Sequence, residues 1–342
     1  MFKTLATTSA LVFATLTGAA QAEGELNIFN WGDYTSPELL EKFAEKYDVK
    51  VTLTEYDSND TALSKVRAGG SGFDLVNPSA NFIPIWIKEG LVQQTNVFEM
   101  ENFKNVKEEW RDPPWDPGRK YSSPWLWGTA GPVVASKYYD GDVDTSAIWL
   151  DPPEELRGKI NVAPEMNDVM YAAIRYMGGE WCSDDRELLK SVLDQMLYAK
   201  QYWISMEYGL EKMDTRDWYA SFYWNGAAFR AREVNDDIRW GFPKEGYSFF
   251  MESMMVLTDA PHPENAKLFQ NFIMDPENAA LISNFATYQN AIEGSEKFMR
   301  PELANAPELN IPDDLKAAGG WQEVCSPEVN ELYTRVWTEV LR

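Results

Sequence analysis

"NIFNWGDYTSPELLEKF", Asn27–Phe43, changes period in mid-stretch. Leu26–Phe29 reads as a buried strand. Ser36-Pro37 then supplies an N-cap followed by proline at the first helical position. Leu39, Leu40, Phe43 and Tyr47 recur at helical spacing on one face. "VKVTLTEY", Val49–Tyr56, alternates like a strand. Asn59 or Asp60 can cap a helix through Leu63, Val66 and Arg67, which Gly69-Gly70 ends. "FDLVNPS", Phe73–Ser79, is a third strand, and Ile83–Glu89 a following helix. Strand, helix, strand, helix, strand at this tempo predicts a parallel sheet with right-handed crossovers. Ligands of such sheets bind beyond the carboxyl ends of the strands. Trp31, Asp33, Tyr34, Ser79 and Asn81 fall there. A turn needs only small or polar residues, so two large aromatics around a carboxylate in this one ask for a function.

The chain opens with "MFKTLATTSALVFATLTGAAQA". One cation, Lys3, precedes an apolar run from Leu5 to Leu16, and Ala20-Gln21-Ala22 has the small-x-small pattern of a cleavage site. Residues 1–22 therefore read as a signal peptide, whose apolar run is too short to span a bilayer, since that takes about 20 apolar residues. No later stretch is apolar enough to cross a membrane. About 320 of the 342 residues remain, more than one compact core usually holds. The formal net charge is −23, which argues against nucleic acid as a partner and favours attraction of cations. Cys182 and Cys325 are a candidate disulfide in an exported chain, or else two buried thiols. With one histidine and two cysteines, a Cys/His zinc site lacks its four ligands.

Further along, Glu101–Tyr121 is polar, with several prolines toward its end, and reads as an irregular surface segment. "PWLWGTAGPVVAS", Pro124–Ser136, reads as a crossing strand. "GKINVAPEMNDVMYAAIRYMGG" repeats the strand–turn–helix theme, with a strand at Lys159–Val162 and a helix carrying Met170, Ala173, Ile174 and Met177. Glu165 lies at the turn and Asp168 in the first helical turn, so a second α/β domain is expected. His262 lies in a loop near a helix start, a setting that suggests no catalytic base. "GGSG", Gly69–Gly72, misses the nucleophile-elbow spacing, and neither a P-loop nor a Rossmann glycine pattern is present. Two carboxylates would suffice for glycoside hydrolysis, but no particular pair stands out. What recurs near strand ends is aromatics beside carboxylates. The groups are Trp31, Asp33 and Tyr34; Glu165 and Asp168; Trp224; Phe250 and Glu252; and Tyr288. Each aromatic alone also fits core packing, and Asp168 alone also fits helix-dipole stabilisation. Together they suit an organic cation, held by carboxylates and covered by aromatic faces.

The segments "NWGDY", "GFDLVNPS", "PWLWGTAG", "WNGAAF", "PKEGYSFFMES" and "YTRVWTEV" stand in the order found in one family. The chain resembles the periplasmic spermidine/putrescine-binding proteins of ABC transporters from Leu26 almost to its C-terminus. The resemblance implies a two-lobed α/β periplasmic-binding-protein fold, each lobe a mainly parallel sheet flanked by helices, with the lobes joined by crossing strands. It implies lobes of 23–128 plus about 252–298 and of 129–251 plus about 299–342. It implies a monomeric periplasmic binder that hands polyamine to a membrane permease, with no catalysis, cofactor or metal. Residue by residue, Trp31, Tyr34, Phe250, Tyr288 and Trp224 match aromatic walls, and Asp33 an acid between the first two. Ser79 lies at the "PS" loop. Asp168 matches an amine-holding carboxylate, with Glu165 one turn before it. Glu252 stands where the central carboxylate is usually aspartate, and Gln322 matches a polar contact. Asn81 lies where members vary, some carrying tyrosine. Ala227 lies where putrescine-preferring members can carry an acid, which leans toward a longer polyamine. The rival readings are a binder of another small cation or solute, and an acidic secreted glycosidase. An amino acid ligand would want a pocket arginine, and the matched positions offer none.

Overall fold

In the computed structural model, residues 24–210, 213 and 216–342 are described. The expected signal peptide, 1–22, lies outside them. Strand β1 (Gly24–Trp31) leads to α1 (Pro37–Tyr47), β2 (Val49–Tyr56), α2 (Asn59–Arg67), β3 (Leu75–Val76) and α3 (Ile83–Lys88). A segment of short 3-10 turns follows over 97–110, and then the long β4 (Ser122–Ala135). Next come α4 (Ala147–Leu150), β5 (Ile160–Val162), α5 (Met166–Tyr176), α6 (Arg186–Lys200), β6 (Trp203–Ser205), β7 (Ala220–Trp224), α7 (Asn225–Val234) and β8 (Ile238–Trp240). The chain returns through β9 (Tyr247–Val256), α8 (Pro263–Phe272), α9 (Pro276–Ala286) and α10 (Pro301–Ala304), and ends with β10 (Gly319–Trp321) and α11 (Pro327–Leu341).

The local signals explain these elements. Ser36 accepts the Leu39 amide at the start of α1, and Asp48 ends the helix in a left-handed conformation. Leu39 and Phe43 are buried beneath it. The cap of α2 is Ser58 rather than Asn59 or Asp60: its hydroxyl accepts the Thr61 amide, which leaves the Asn59 side chain free to bind Ser79. The third strand is much shorter than Phe73–Ser79, because the chain pairs with β1 and β9 only at Leu75 and Val76.

The strands run β2-β1-β3-β9-β4-β7-β5-β6, with β10 on β9 and β8 on β4. The flanks are parallel, as the crossovers require: β1 with β2 and β3, and β5 with β6 and β7. The middle is antiparallel, because β4 carries the chain across and β9 carries it back. Two main apolar cores result. One gathers β1 to β3, Trp125, Leu126, Met251 to Leu257 and the faces of α8 and α9. The other gathers Ala130, Val134, β5, α5, α6, Phe222 and α11. This is a two-lobed α/β architecture, and β4 contributes residues to both cores. Arg119 is fully buried behind β9 and donates to the hydroxyls of Ser122 and Ser253, each at 3.1 Å. Burial lowers its guanidinium to about 10, partly offset by Asp116, so it remains a cation at neutral pH. Met251 and Ser253 meet it on one face of β9, which leaves Phe250 and Glu252 for the other by strand alternation. Cys182 and Cys325 form a disulfide that ties the loop before α6 to the segment between β10 and α11.

Candidate functional site

The carboxyl end of β1 builds the first wall. Trp31 is half-buried, its indole N–H donates to the Asn77 carbonyl at 2.9 Å, and its ring leans on Tyr34 and Tyr56. Tyr34 continues to Tyr288 at 5.8 Å between ring centres, and Tyr288 meets Phe250 edge-on at 5.6 Å. Close backbone approach makes room for these rings. A Cβ on Gly226 would stand 2.5 Å from the Tyr288 ring, and one on Gly128 would stand 2.5 Å from Phe250. Asp33 is exposed at the turn with a left-handed φ of 58°, and its amide donates to the Glu55 carboxylate. It stands at the rim, while Asn81 is half-buried in the turn before α3.

Glu252 lies inside this wall, 4% exposed. Its Oε1 accepts the Ser79 hydroxyl at 3.2 Å, and Asn59 in turn fixes Ser79 through the hydroxyl and the amide. Its Oε2 is buried with no hydrogen-bond partner among the described residues. Burial pushes the Glu252 carboxyl up to about 8; the Ser79 bond pulls it back, and the charge of Asp168 adds to the rise.

Asp168 sits at the first turn of α5, a helix that packs in the second apolar core, and is 7% exposed. It accepts the Trp224 indole N–H at 2.8 Å, the Ser248 hydroxyl at 2.9 Å and the Gln322 amide. Burial raises its carboxyl, and these three donors hold it down. Glu165 stands at the N-cap position of α5, but its side chain makes no capping hydrogen bond. Burial pushes Glu165 to about 7, with Asp168 and then Asp60 adding to the rise and a Tyr208 hydrogen bond opposing it. The hydroxyl of Tyr34 is held well above its ordinary value, and that of Tyr288 is pushed up to about 12, by burial first and also by Glu252. The site thus combines acidic groups that burial disposes to hold their protons, until a cation pairs with them, with aromatic faces.

The structure brings Trp31, Tyr34, Tyr288 and Phe250 together through ring contacts, Ser79 and Glu252 through a hydrogen bond, and Asp168, Trp224 and Gln322 through another set; the charge of Glu252 reaches Tyr34 and Tyr288. The charges of Asp168 and Glu252 join the two sets. Sequence reasoning missed Asn59, Tyr56, Ser248 and Tyr208. Tyr56 could have been found, since it pairs in register with Trp31 at the same strand edge. Arg230 also approaches the site, 6.0 Å from the Tyr288 ring centre, but its guanidinium donates to Ala286 and Thr287. Among the described residues, no group of three or more His, Cys, Asp or Glu side chains is placed to hold a metal ion. A shallow groove of about 260 Å³ between α6 and α11, lined by Leu189, Leu193 and Val336 among others, shares no residue with this site.

The model of the bacterial extracellular solute-binding protein family matches residues 38–311. The chain belongs to that family. Among its relatives, the spermidine/putrescine-binding periplasmic protein of Escherichia coli K12 is 28% identical over 306 residues, covering 89% of this chain and 88% of the relative. The putrescine-binding periplasmic protein PotF of the same organism is 26% identical, covering 97% and 95%. Of solved structures, the TpPotD lipoprotein of Treponema pallidum superimposes with a TM-score of 0.83 at 22% identity, covering 93% of this chain and all of that one. PotD of Streptococcus pneumoniae gives 0.81 at 22% identity, over 93% and 100%. At those identities the structures speak for the fold, which is the two-lobed fold of solute-binding proteins.

Proposed function

We propose that this chain is a periplasmic binding protein that captures a linear polyamine, such as spermidine or putrescine, and delivers it to an ABC permease. The observation that carries the reading is Glu252: a buried carboxyl group whose Oε2 lacks a partner among the described residues, whose charge reaches Tyr34, Tyr56 and Tyr288, with a second buried carboxyl, Asp168, within range. A buried charge needs a counter-charge, and leaving one unpaired costs several kcal/mol. Alkylammonium groups stay charged far above neutral pH, near the lysine value of about 10.4. Trp31, Tyr34, Trp224, Phe250 and Tyr288 would cover the methylenes, and Asp33 would guard the rim. Ser79, Asn81 and Gln322 would orient the carboxylates or line the cleft, and Glu165 would take an outer amine.

We also propose that 23–128 with about 252–298 forms one lobe and 129–251 with about 299–342 the other, in a monomer. Glu252 would then belong to the first lobe and Asp168 to the second, so a diamine joining them would favour closure about β4 and β9. An amino acid binder is disfavoured, because Arg230 is already engaged by Ala286 and Thr287. The relatives, binding proteins by name, weigh against a glycosidase.

Thermal unfolding with added spermidine, putrescine, glucose or glutamate tests the reading. Only the amines should raise the melting temperature, and native mass spectrometry should show one amine per chain. Stabilisation by glucose or glutamate with none by either amine would overturn it.

A further inference from the structure

Tyr208 lies between β6 and β7 and is 52% exposed, so it is not a core residue. Its backbone is nonetheless pinned: the Gly209 amide donates to the Tyr223 hydroxyl at 2.9 Å, and Arg216 donates to the Tyr208 carbonyl at 2.9 Å while binding Glu207. Its ring lies nearly parallel to Trp224, at 13°, with ring centres 6.0 Å apart. A chain sandwiched between two faces needs about 7 Å, since carbon layers touch at about 3.5–4.0 Å. The rings are therefore offset, and together they form one continuous aromatic surface. The inner edge of that surface donates to Asp168 through the Trp224 indole. Beyond the surface lies the Glu165 carboxyl, near enough for the Tyr208 hydroxyl to favour its charged form, while the charges of Asp168 at the start of α5 and Asp60 in α2 disfavour it. The charges of Asp57, Tyr223 and Asp168 also reach Tyr208.

We propose that Tyr208 is a specificity-determining residue that lengthens the cleft beyond a diamine, by extending the Trp224 face and orienting Glu165 for an outer ammonium group. The proposal rests on the polyamine reading above. Glu252 and Asp168 suffice for the two charges of a diamine. A triamine has a third charge to place, and the Trp224–Tyr208 surface leads its methylenes to the Glu165 carboxylate. Tyr208 acts on the third charge and not on the first two.

Calorimetric titration of spermidine and putrescine into the wild type, Tyr208→Ala and Tyr208→Phe, from pH 6 to 9, tests this. Tyr208→Ala should weaken spermidine by about tenfold or more, the scale of one charge-assisted hydrogen bond, and putrescine clearly less. Tyr208→Phe keeps the ring and removes the hydroxyl. Glu165 then loses a donor that favours its charged form, so the acid limb of the spermidine profile should move to higher pH while putrescine stays put. Equal losses of both amines, no loss of either, or an unmoved profile in Tyr208→Phe would overturn the role of Tyr208 and leave the polyamine reading standing. If Tyr208→Ala does not fold, Tyr208→Phe decides alone. A wild type that binds neither amine refutes both readings, and one that binds putrescine alone refutes the role of Tyr208.

Discussion

Glu252 concentrates the chemistry of the molecule in one carboxyl group. Its ordinary value of 4.5 is raised to about 8 by burial, with Asp168 adding to the rise. Between those two values the folded protein without ligand holds a proton that the unfolded chain has released. Stability then falls as pH rises, by up to about 1.4 kcal/mol per pH unit for this one group. An amine reverses the sign, because it pairs with the charged form. Amine affinity should therefore climb from pH 6 toward pH 8 and level off above it, with proton release on binding near neutral pH. Glu252→Gln removes both behaviours. We predict that the ligand-free variant melts higher than wild type at pH 8 and binds spermidine at least about tenfold more weakly, the scale of a lost charge-assisted hydrogen bond. Melting curves at pH 5 and pH 8 in two buffers, with calorimetry at pH 8, check this. If the variant keeps the wild-type pH slope and affinity, Glu252 is not the buried charge that the amine neutralises.

At the scale of elements, the site depends on how closely β4, α7 and the turn after α9 approach one another. The φ of Gly226 is not in the left-handed region, so its backbone would accept any residue; the Tyr288 ring 2.5 Å from its notional Cβ is what forbids one. Alanine there would push the Tyr288 wall toward Tyr34 and Phe250. We predict that Gly226→Ala lowers polyamine affinity by about tenfold or more while costing about 1–3 kcal/mol in stability, the usual range for overpacking. Calorimetry beside thermal melting separates the two. Normal binding with a large melting loss would make Tyr288 a packing residue only. Such approaches were only partly legible in the sequence. The first strand and helix could be read because Ser36-Pro37 and the apolar spacing act locally, and β4 because its apolar run is long. The α2 cap is Ser58, one or two residues before the Asn59 or Asp60 that the sequence suggests, because all three are good caps and only the tertiary bond from Asn59 to Ser79 decides among them. The aromatic and acidic site residues stood out by residue type at strand ends. Ser248 and Tyr208 did not, because a serine in a strand and a tyrosine in a loop carry no periodic signal. Their places are set by contacts with Asp168 and Trp224, 80 and 16 residues away in sequence.

For the whole molecule, a net charge of −23 surrounds a cleft in which Glu252 and Asp168 are buried. Many of the surface acids are engaged locally, as in Glu89 with Arg67, Glu277 with Lys42 and Glu233 with Arg300, and exposed pairs of this kind contribute little to stability. Their surplus acts at longer range instead. A negative field around the cleft raises the local concentration of a polycation and speeds its arrival. That field is screened over about 10 Å at 0.1 M salt and about 3 Å at 1 M. The contacts of the bound amine with Glu252 and Asp168 are shielded from that screening by burial. The two parts therefore separate kinetically. We predict that the association rate of spermidine, followed by stopped-flow tryptophan fluorescence, falls steeply between 0.01 and 0.5 M salt, while the dissociation rate changes little. Putrescine, with one charge fewer, should show the shallower slope. Neutralising distant surface acids such as Glu41 and Glu302 should lower the association rate at low salt and leave dissociation alone, whereas Glu252→Gln should act mainly on dissociation. If salt instead accelerates dissociation and leaves association flat, capture is governed by exposed ion pairs at the cleft, and the general field plays no part in it.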